Sequence, residues 1–326
     1  MKKSSLVLLI AITGGAWFAL QRYDLRGLEN LQLVRRSSSA SEGKGAPPPE
    51  ENDAIRIASF NLQSFDLEKS RHAAVMDILA RVIREFDVIA VQEVRPTRPE
   101  VLRNLMDVIN QGETEYSILA GSQVDRASPE TFAYIYNQAT VETDRAAAYV
   151  VEDPERLLEH PPLAGWFRVR GPPESQAFTF TLVNVHAEPS RGSGKPAQLD
   201  AIYQSVFYQV RDDGRGEDDL IMLGCFNADE QHLGKLQEIP GLLAAISATP
   251  TDTRRKNQYD NLVFQSPATA EYTGRSGVFD FLREYNLTLQ EALQVSDHLP
   301  VWAEFSAREG GQSPAMAARR GITGGP

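Results

Sequence analysis

The amino-acid sequence predicts a four-layer α/β/β/α sandwich, two packed mixed sheets with helices outside. Three observations predict it. A strand–helix–strand order opens the folded part of the chain, strand-like segments fill most of the rest, and polar residues recur at the ends of those segments.

Ile55–Phe60 reads as the first strand, with Ile55, Ile57 and Ser59 on one face. Ser70–Phe86 follows as a helix, because Val75, Ile78, Leu79, Val82, Ile83 and Phe86 fall at helical spacing. The run DVIAV, Asp87–Val91, is continuously apolar after its aspartate, as in a strand covered on both faces. Thr131–Tyr136, Phe178–Val185, Leu220–Leu223, Tyr259–Phe264 and Pro300–Phe305 are further strands. Ala197–Val210 reads as a second amphipathic helix, with Ile202, Val206 and Val210 in its apolar stripe.

The 326 residues allow one large domain with a sizeable core, and 42% apolar with 24% charged residues are ordinary globular values. A formal net charge of −11 argues against general electrostatic adhesion to nucleic acid. It leaves room for an enzyme that engages a few phosphates through local arginines and metal ions. The single cysteine, Cys225, excludes an intramolecular disulfide.

Lys2 and Lys3 precede a mostly apolar run from Leu6 to Leu20, shorter than the roughly twenty residues of a comfortable spanning helix. Residues 1–25 therefore read as a signal peptide or signal anchor. Trp17 and Phe18 stand where small residues would mark cleavage, which favours an uncleaved anchor. Residues 26–53, rich in serine and glycine with a triple proline, form a flexible linker, and 307–326 a disordered tail. The working domain is 54–306, expected on the exported side of a membrane.

Asn61, Glu93, His186, Asn227, Asp260, Asp297 and His298 each lie at or near a strand end, where layered α/β folds build their sites. Singly, each has a plain structural reading as a turn residue, a cap or a solvated charge. Ser296-Asp297-His298 is no serine-hydrolase triad, because three consecutive side chains do not converge and no G-x-S-x-G turn is present.

Seven stretches carry a more specific signal: RIASFNLQSF (56–65), DVIAVQEVR (87–95), ETFAYIYN (130–137), LVNVHAEP (182–189), IMLGCFNAD (221–229), QYDNLVF (258–264) and SDHLPV (296–301). In this order they resemble the endonuclease/exonuclease/phosphatase superfamily, and within it the deoxyribonuclease I branch. The resemblance implies a divalent metal held by Glu93 beside Asn61, with Asp297 completing the region. Mg²⁺ suits those hard oxygens; Mn²⁺ is its substitute, and Zn²⁺ ranks below both. It implies that His298, oriented by Asp260, activates water or stabilises the phosphorane. His186, paired with Glu130, would protonate the leaving oxygen. Asn227 would hold a phosphate oxygen or the nucleophile, and Arg95 would contact the substrate backbone.

The sequence departs from that pattern in three places. The motif G-D-F-N reads Gly224-Cys225-Phe226-Asn227 here, so a catalytic carboxylate is replaced by a thiol. Cys225 implies attenuated hydrolysis, a shifted metal preference, or, least favoured, a nucleophilic thiol. Glu159-His160-Pro161 replaces an Arg-Glu-Pro element with no evident substitute beyond nearby Arg168, and Ser128 replaces a minor-groove tyrosine. Arg254-Arg255-Lys256 supplies compensating charge or a merely solvated loop. The expected function is a metal-dependent endonuclease hydrolysing DNA by water attack. A phospholipid or small-phosphoester hydrolase and a degenerate binding domain are the alternatives; no protein partner is expected.

Overall fold

The structure, a computed structural model, describes residues 53–95, 100–121, 130–188, 198–213 and 216–311. The expected signal segment, the linker up to residue 52, Ser128 and residues 312–326 lie outside the described residues.

In chain order the strands are β1 (Ala54–Phe65), β2 (Val88–Val94), β3 (Tyr116–Ala120), β4 (Thr131–Asn137), β5 (Val141–Thr143), β6 (Tyr149–Val150) and β7 (Leu163–Val169). There follow β8 (Thr179–His186), β9 (Leu220–Cys225), β10 (Leu242–Ala244), β11 (Asp260–Gln265), β12 (Tyr272–Val278) and β13 (Val301–Ser306). One sheet has the order β12-β13-β1-β2-β4-β3, the other β10-β11-β9-β8-β7-β5 with β6 against β7. Each is mixed: β1–β2 and β8–β9 are parallel, and their neighbours antiparallel. This is the sandwich expected from the sequence.

Three apolar clusters fill the layers. Ile55, Ile57, Val88, Ala90, Tyr134, Leu182, Leu223, Leu262 and Phe305 lie between the sheets. Ala58, Phe60, Ile89 and Val91 point the other way, onto the helices Ala73–Ile83 and Glu100–Ile109. Val183, Val185 and Met222 face the helical stretch from Gln198 to Arg211. The strands covered on both faces are the ones with continuous apolar runs. Aromatic rings fill the middle, with Phe178 stacked on Phe180 at 4.8 Å and Tyr134 edge-on to Phe167 at 5.2 Å.

Inside this apolar layer lies a polar clasp. Gln92 Nε2 donates to Asn184 Oδ1 at 2.7 Å and to Ser59 Oγ at 3.0 Å. Asn184 Nδ2 donates back to the Val91 and Ala133 carbonyls at 3.1 and 3.2 Å. Both amides are fully buried and join the two sheets.

The expected helix over Ser70–Phe86 is divided: a 3₁₀ turn covers Lys69–Arg71, and the α-helix runs Ala73–Ile83 with His72 as N-cap. The second expected helix has a π-helical centre, Ile202–Phe207. Its buried residues Ile202, Val206 and Val210 recur every four residues, which suits a wider turn than the α-helix. Residues 307–311, expected in the tail, belong to the folded domain. Ala307 is buried with its N–H on the Asp53 carbonyl, and Glu309–Gly311 forms a 3₁₀ turn on the domain. Composition alone did not show these contacts.

Replacing Asn184 with leucine removes the clasp and leaves Gln92 and two carbonyls short of partners in a dry layer. Unfolding free energy falls by about 1–3 kcal/mol, measured by denaturant titration.

Candidate active site

The rows of side chains between the sheets turn polar at one end. Ile57 and Ser59 lead to Asn61; Val88 and Ala90 to Gln92; Leu182 and Asn184 to His186; Ile221 and Leu223 to Cys225; Phe264 and Leu262 to Asp260. Period-two alternation thus delivers these polar side chains to a common rim.

At its centre β8, β9 and β11 lie side by side, with His186 opposite Cys225 and Cys225 opposite Asp260. Gly224, at φ +150°, permits this approach, since a Cβ there would run into the Val185 carbonyl. Glu93 and Asn227, at φ +56° and +49°, adopt left-handed backbone that non-glycine residues seldom take. The surrounding hydrogen bonds hold it: the Glu93 N–H donates to Glu130 Oε1 at 2.8 Å, and Asn227 Nδ2 to the Ala187 carbonyl at 2.8 Å.

Two histidine–carboxylate pairs flank Cys225. His298 Nδ1 is 2.8 Å from Asp260 Oδ2, which also accepts the Thr251 hydroxyl at 2.7 Å. Burial works to lower the His298 pKa, but Asp260, Asp297 and Glu93 outweigh it and raise the imidazole to about 9. His186 Nδ1 lies 3.0 and 3.2 Å from the two Glu130 oxygens. There too burial is overcome, so the imidazole is raised and the carboxyl lowered. In each pair the engaged Nδ1 leaves Nε2 for other work.

Glu93 is oriented by Asn61 Nδ2 at 3.0 Å on one oxygen and by the Ser64 N–H at 2.8 Å on the other. Asn61 Oδ1 accepts the Gln63 N–H at 2.8 Å, which fixes the amide orientation. In this arrangement Asn61 Nδ2 steadies Glu93, and Oδ1 keeps a lone pair beyond the one that takes the Gln63 N–H. Asp297, half exposed, reaches 3.9 Å from His298 Nε2. Its segment is anchored by Ser296 Oγ, which donates to the Asn61 carbonyl at 2.7 Å. Glu93 and Asp297 offer only oxygen donors, and both carboxylates raise the pKa of the Lys69 ammonium against its burial. That chemistry fits a hard divalent ion such as Mg²⁺ better than Zn²⁺.

Cys225 is 1% exposed, and burial with the neighbouring Asp260 pushes its thiol well above its ordinary range. Without a bound cation a thiol so placed stays protonated, contrary to the needs of a nucleophile. Asp260 Oδ1, buried nearby, has no hydrogen-bond partner. Arg95 is exposed and forms no ion pair among the described residues. Arg255 of the basic run pairs with Asp280, and Arg168 with Glu142 and Glu174, so neither is free for phosphate.

Two residues here escaped the sequence reading. His160 stacks on His186 at 5.1 Å with rings nearly parallel, and its Nε2 lies 3.5 Å from Glu130 and 3.7 Å from Glu188. It occupies the segment where no arginine substitute was evident. Lys69 Nζ donates to the Leu62 and Gln63 carbonyls at 2.7 and 2.9 Å, bracing the turn that carries Asn61. Burial lowers its pKa to about 8 despite Asp297, Glu93 and Asp66. Only its place eight residues after Asn61 could have flagged it, and that is no recognisable spacing. A cleft of about 740 Å³ opens beside Asn227 and Tyr259, bordered by Glu188, Asp229, Glu230 and Lys256.

A mixed-sheet sandwich with paired histidines and acids at one rim defines a class of phosphoester-cleaving hydrolases, and comparison with known proteins agrees. The chain belongs to the endonuclease/exonuclease/phosphatase family, whose pattern it matches over residues 58–298. It is similar to human (Homo sapiens) deoxyribonuclease-1-like 1, 30% identical over 265 residues that cover 77% of this chain and 84% of that protein. Human deoxyribonuclease gamma is 26% identical over 266 residues, 76% of this chain and 85% of that protein. Among solved structures, a functionally unknown conserved protein from Enterococcus faecalis V583 shares the fold at a TM-score of 0.55 and 17% identity, covering 78% of this chain and all of that one. At family level the chain is a hydrolase of the phosphodiesterase and nuclease type.

The His298–Asp260 pair has a testable pH signature. Because the folded pKa of about 9 exceeds the unfolded value, the pair stabilises the fold fully below pH about 6.5. That contribution fades as pH rises through about 9. Asp260→Asn removes it, so the stability difference from wild type, followed by denaturant titration, shrinks between those limits.

Proposed function

We propose that this chain is a metal-dependent endonuclease that hydrolyses DNA phosphodiesters by water attack, with chemistry attenuated by Cys225. The observation that carries this reading is the pair of histidine–carboxylate couples flanking one buried position, with Glu93 on the same rim. The Glu130–His186 couple favours a nuclease over a lipid or small-phosphoester hydrolase, and the named relatives are deoxyribonucleases.

In this reading Glu93, with Asn61 beside it and Asp297, would hold a divalent ion, which when bound would neutralise charge on the scissile phosphate. The remaining work belongs to side chains. His298, oriented by Asp260, takes a proton from the attacking water in its neutral form as the water oxygen bonds to phosphorus and the bond to the leaving oxygen breaks. His186, kept protonated by Glu130, gives its Nε2 proton to the leaving oxygen. Asn227 has one amide hydrogen on the Ala187 carbonyl and a second for a phosphate oxygen. Arg95 reaches the backbone beyond. His160, stacked on His186, stands where the missing arginine would add charge. A neutral thiol at 225 places no negative charge by the attacking water, which is the source of the attenuation. Export through the N-terminal segment is part of the proposal, since Lys2, Lys3 and the apolar run support it.

Supercoiled-plasmid nicking in Mg²⁺, Mn²⁺ or Zn²⁺ tests the assignment. Wild type nicks slowly in Mg²⁺ and Mn²⁺, His298→Ala and Glu93→Gln lose about 10²–10⁴-fold, and Cys225→Asp gains on the order of 10-fold or more. If neither wild type nor Cys225→Asp cuts DNA while vesicles containing phosphodiester lipids are hydrolysed, the lipid alternative takes its place. DNA binding without turnover in both proteins would mark a degenerate binder.

A further inference from the structure

The strand registers place a second group of carboxylates far from the catalytic rim. Parallel β8 and β9 run from the pair Thr181–Leu220 to the pair His186–Cys225, so Asp219 sits at the opposite end from the chemistry. Glu271 precedes β12, whose Tyr272 pairs with Phe305 at that same far end. Glu309 lies in the 3₁₀ turn that follows β13.

One oxygen each from Asp219, Glu271 and Glu309 fall within 4.8 Å of one another. Asp219 is 3% exposed and its Oδ1 has no hydrogen-bond partner; Glu271 is 2% exposed and its Oε2 has none. The other Glu271 oxygen accepts the Gly310 N–H at 2.5 Å, and Glu309 Oε1 accepts the Thr179 N–H at 2.8 Å. Glu271 and Glu309 are thus steadied from outside, the Thr269 side chain lies beside Asp219, and orphaned oxygens of Asp219 and Glu271 remain buried in the cluster. Glu217 adjoins it, with one oxygen on the Asp219 N–H at 3.1 Å and the other on Trp166 Nε1 at 3.3 Å. No lysine or arginine of the described residues forms an ion pair with Asp219, Glu271 or Glu309. Burial and the adjacent Glu271 push the Asp219 carboxyl up to about 9. Such a cluster lacks a positive charge.

We propose that Asp219, Glu271 and Glu309 bind a hard divalent cation at the pole opposite the catalytic rim. The donors are all oxygens, which excludes the softer ions as preferred occupants. Ca²⁺, which takes about six to eight oxygens in flexible geometry, is the probe for such a site. A cation here ties the start of β9, the start of β12 and the turn after β13 to one point.

The test is thermal unfolding of the full chain in chelator and in CaCl₂, repeated in Glu93→Gln so that the catalytic rim does not account for a response. At Ca²⁺ about 100-fold above its Kd, Tm rises by about 5–10 °C. Asp219→Asn and Glu271→Gln keep a chelator Tm near wild type and lose the rise. Tb³⁺ emission on tryptophan excitation, sensitised through Trp166 beside Glu217, is lost in the same variants. Should those variants fail to fold, Trp166→Phe decides: the calcium response stays and the terbium emission goes. An equal Ca²⁺ response in wild type, Asp219→Asn and Glu271→Gln overturns the proposal. So does the absence of any response in wild type.

Discussion

The rim depends on a hydrogen bond that touches no substrate. Gln92 and Asn184 face each other across the apolar layer between the sheets, 2.7 Å apart. Their neighbours are Glu93, the next residue along β2, and His186, two residues on along β8. Apolar surfaces slide past one another at little cost, whereas a buried amide pair accepts one alignment and penalises the rest. The clasp therefore sets how the carboxylate of one sheet meets the imidazole of the other. Glu130 completes that alignment, since one of its oxygens takes both the Glu93 N–H and His186 Nδ1.

Much of the architecture was legible because the inner strands obey simple patterning. DVIAV has apolar residues on both faces and lies in the middle of a sheet covered on both sides. Most strand ends slipped by one or two residues, as hydrogen-bonded bounds do relative to hydropathy, while β1 and β2 run on past their apolar stretches to Phe65 and Val94. Edge strand β12, sequence YTGRSGV, escaped notice because none of its residues is fully buried and it has two glycines. Helix Glu100–Ile109 also escaped, although Val101, Leu105 and Ile109 mark its buried stripe.

The rim was legible for a different reason. Its polar residues continue alternating rows, so each stands out at the end of an otherwise apolar strand. The sequence named both partners of each histidine couple, although Glu130 and His186 are 56 positions apart. His160 and Lys69 were hidden because neither ends a strand. Each reaches the rim from a loop or turn whose path only the folded chain reveals. Cys225 was conspicuous in sequence, and burial then narrowed its meaning to a protonated thiol.

The two ends of the domain meet in one sheet. β1 lies against β13, and Ser296 donates to the Asn61 carbonyl across 235 residues of sequence. A ribosome releases these halves at very different times, the second only when synthesis of the domain is almost complete. Until then the nascent chain has Glu93 and His186 but no His298, and β1 lacks the neighbour that covers one edge. Assembly of the rim is therefore delayed until the end of the domain has been made, and a chain cut short anywhere before residue 298 lacks the His298–Asp260 couple.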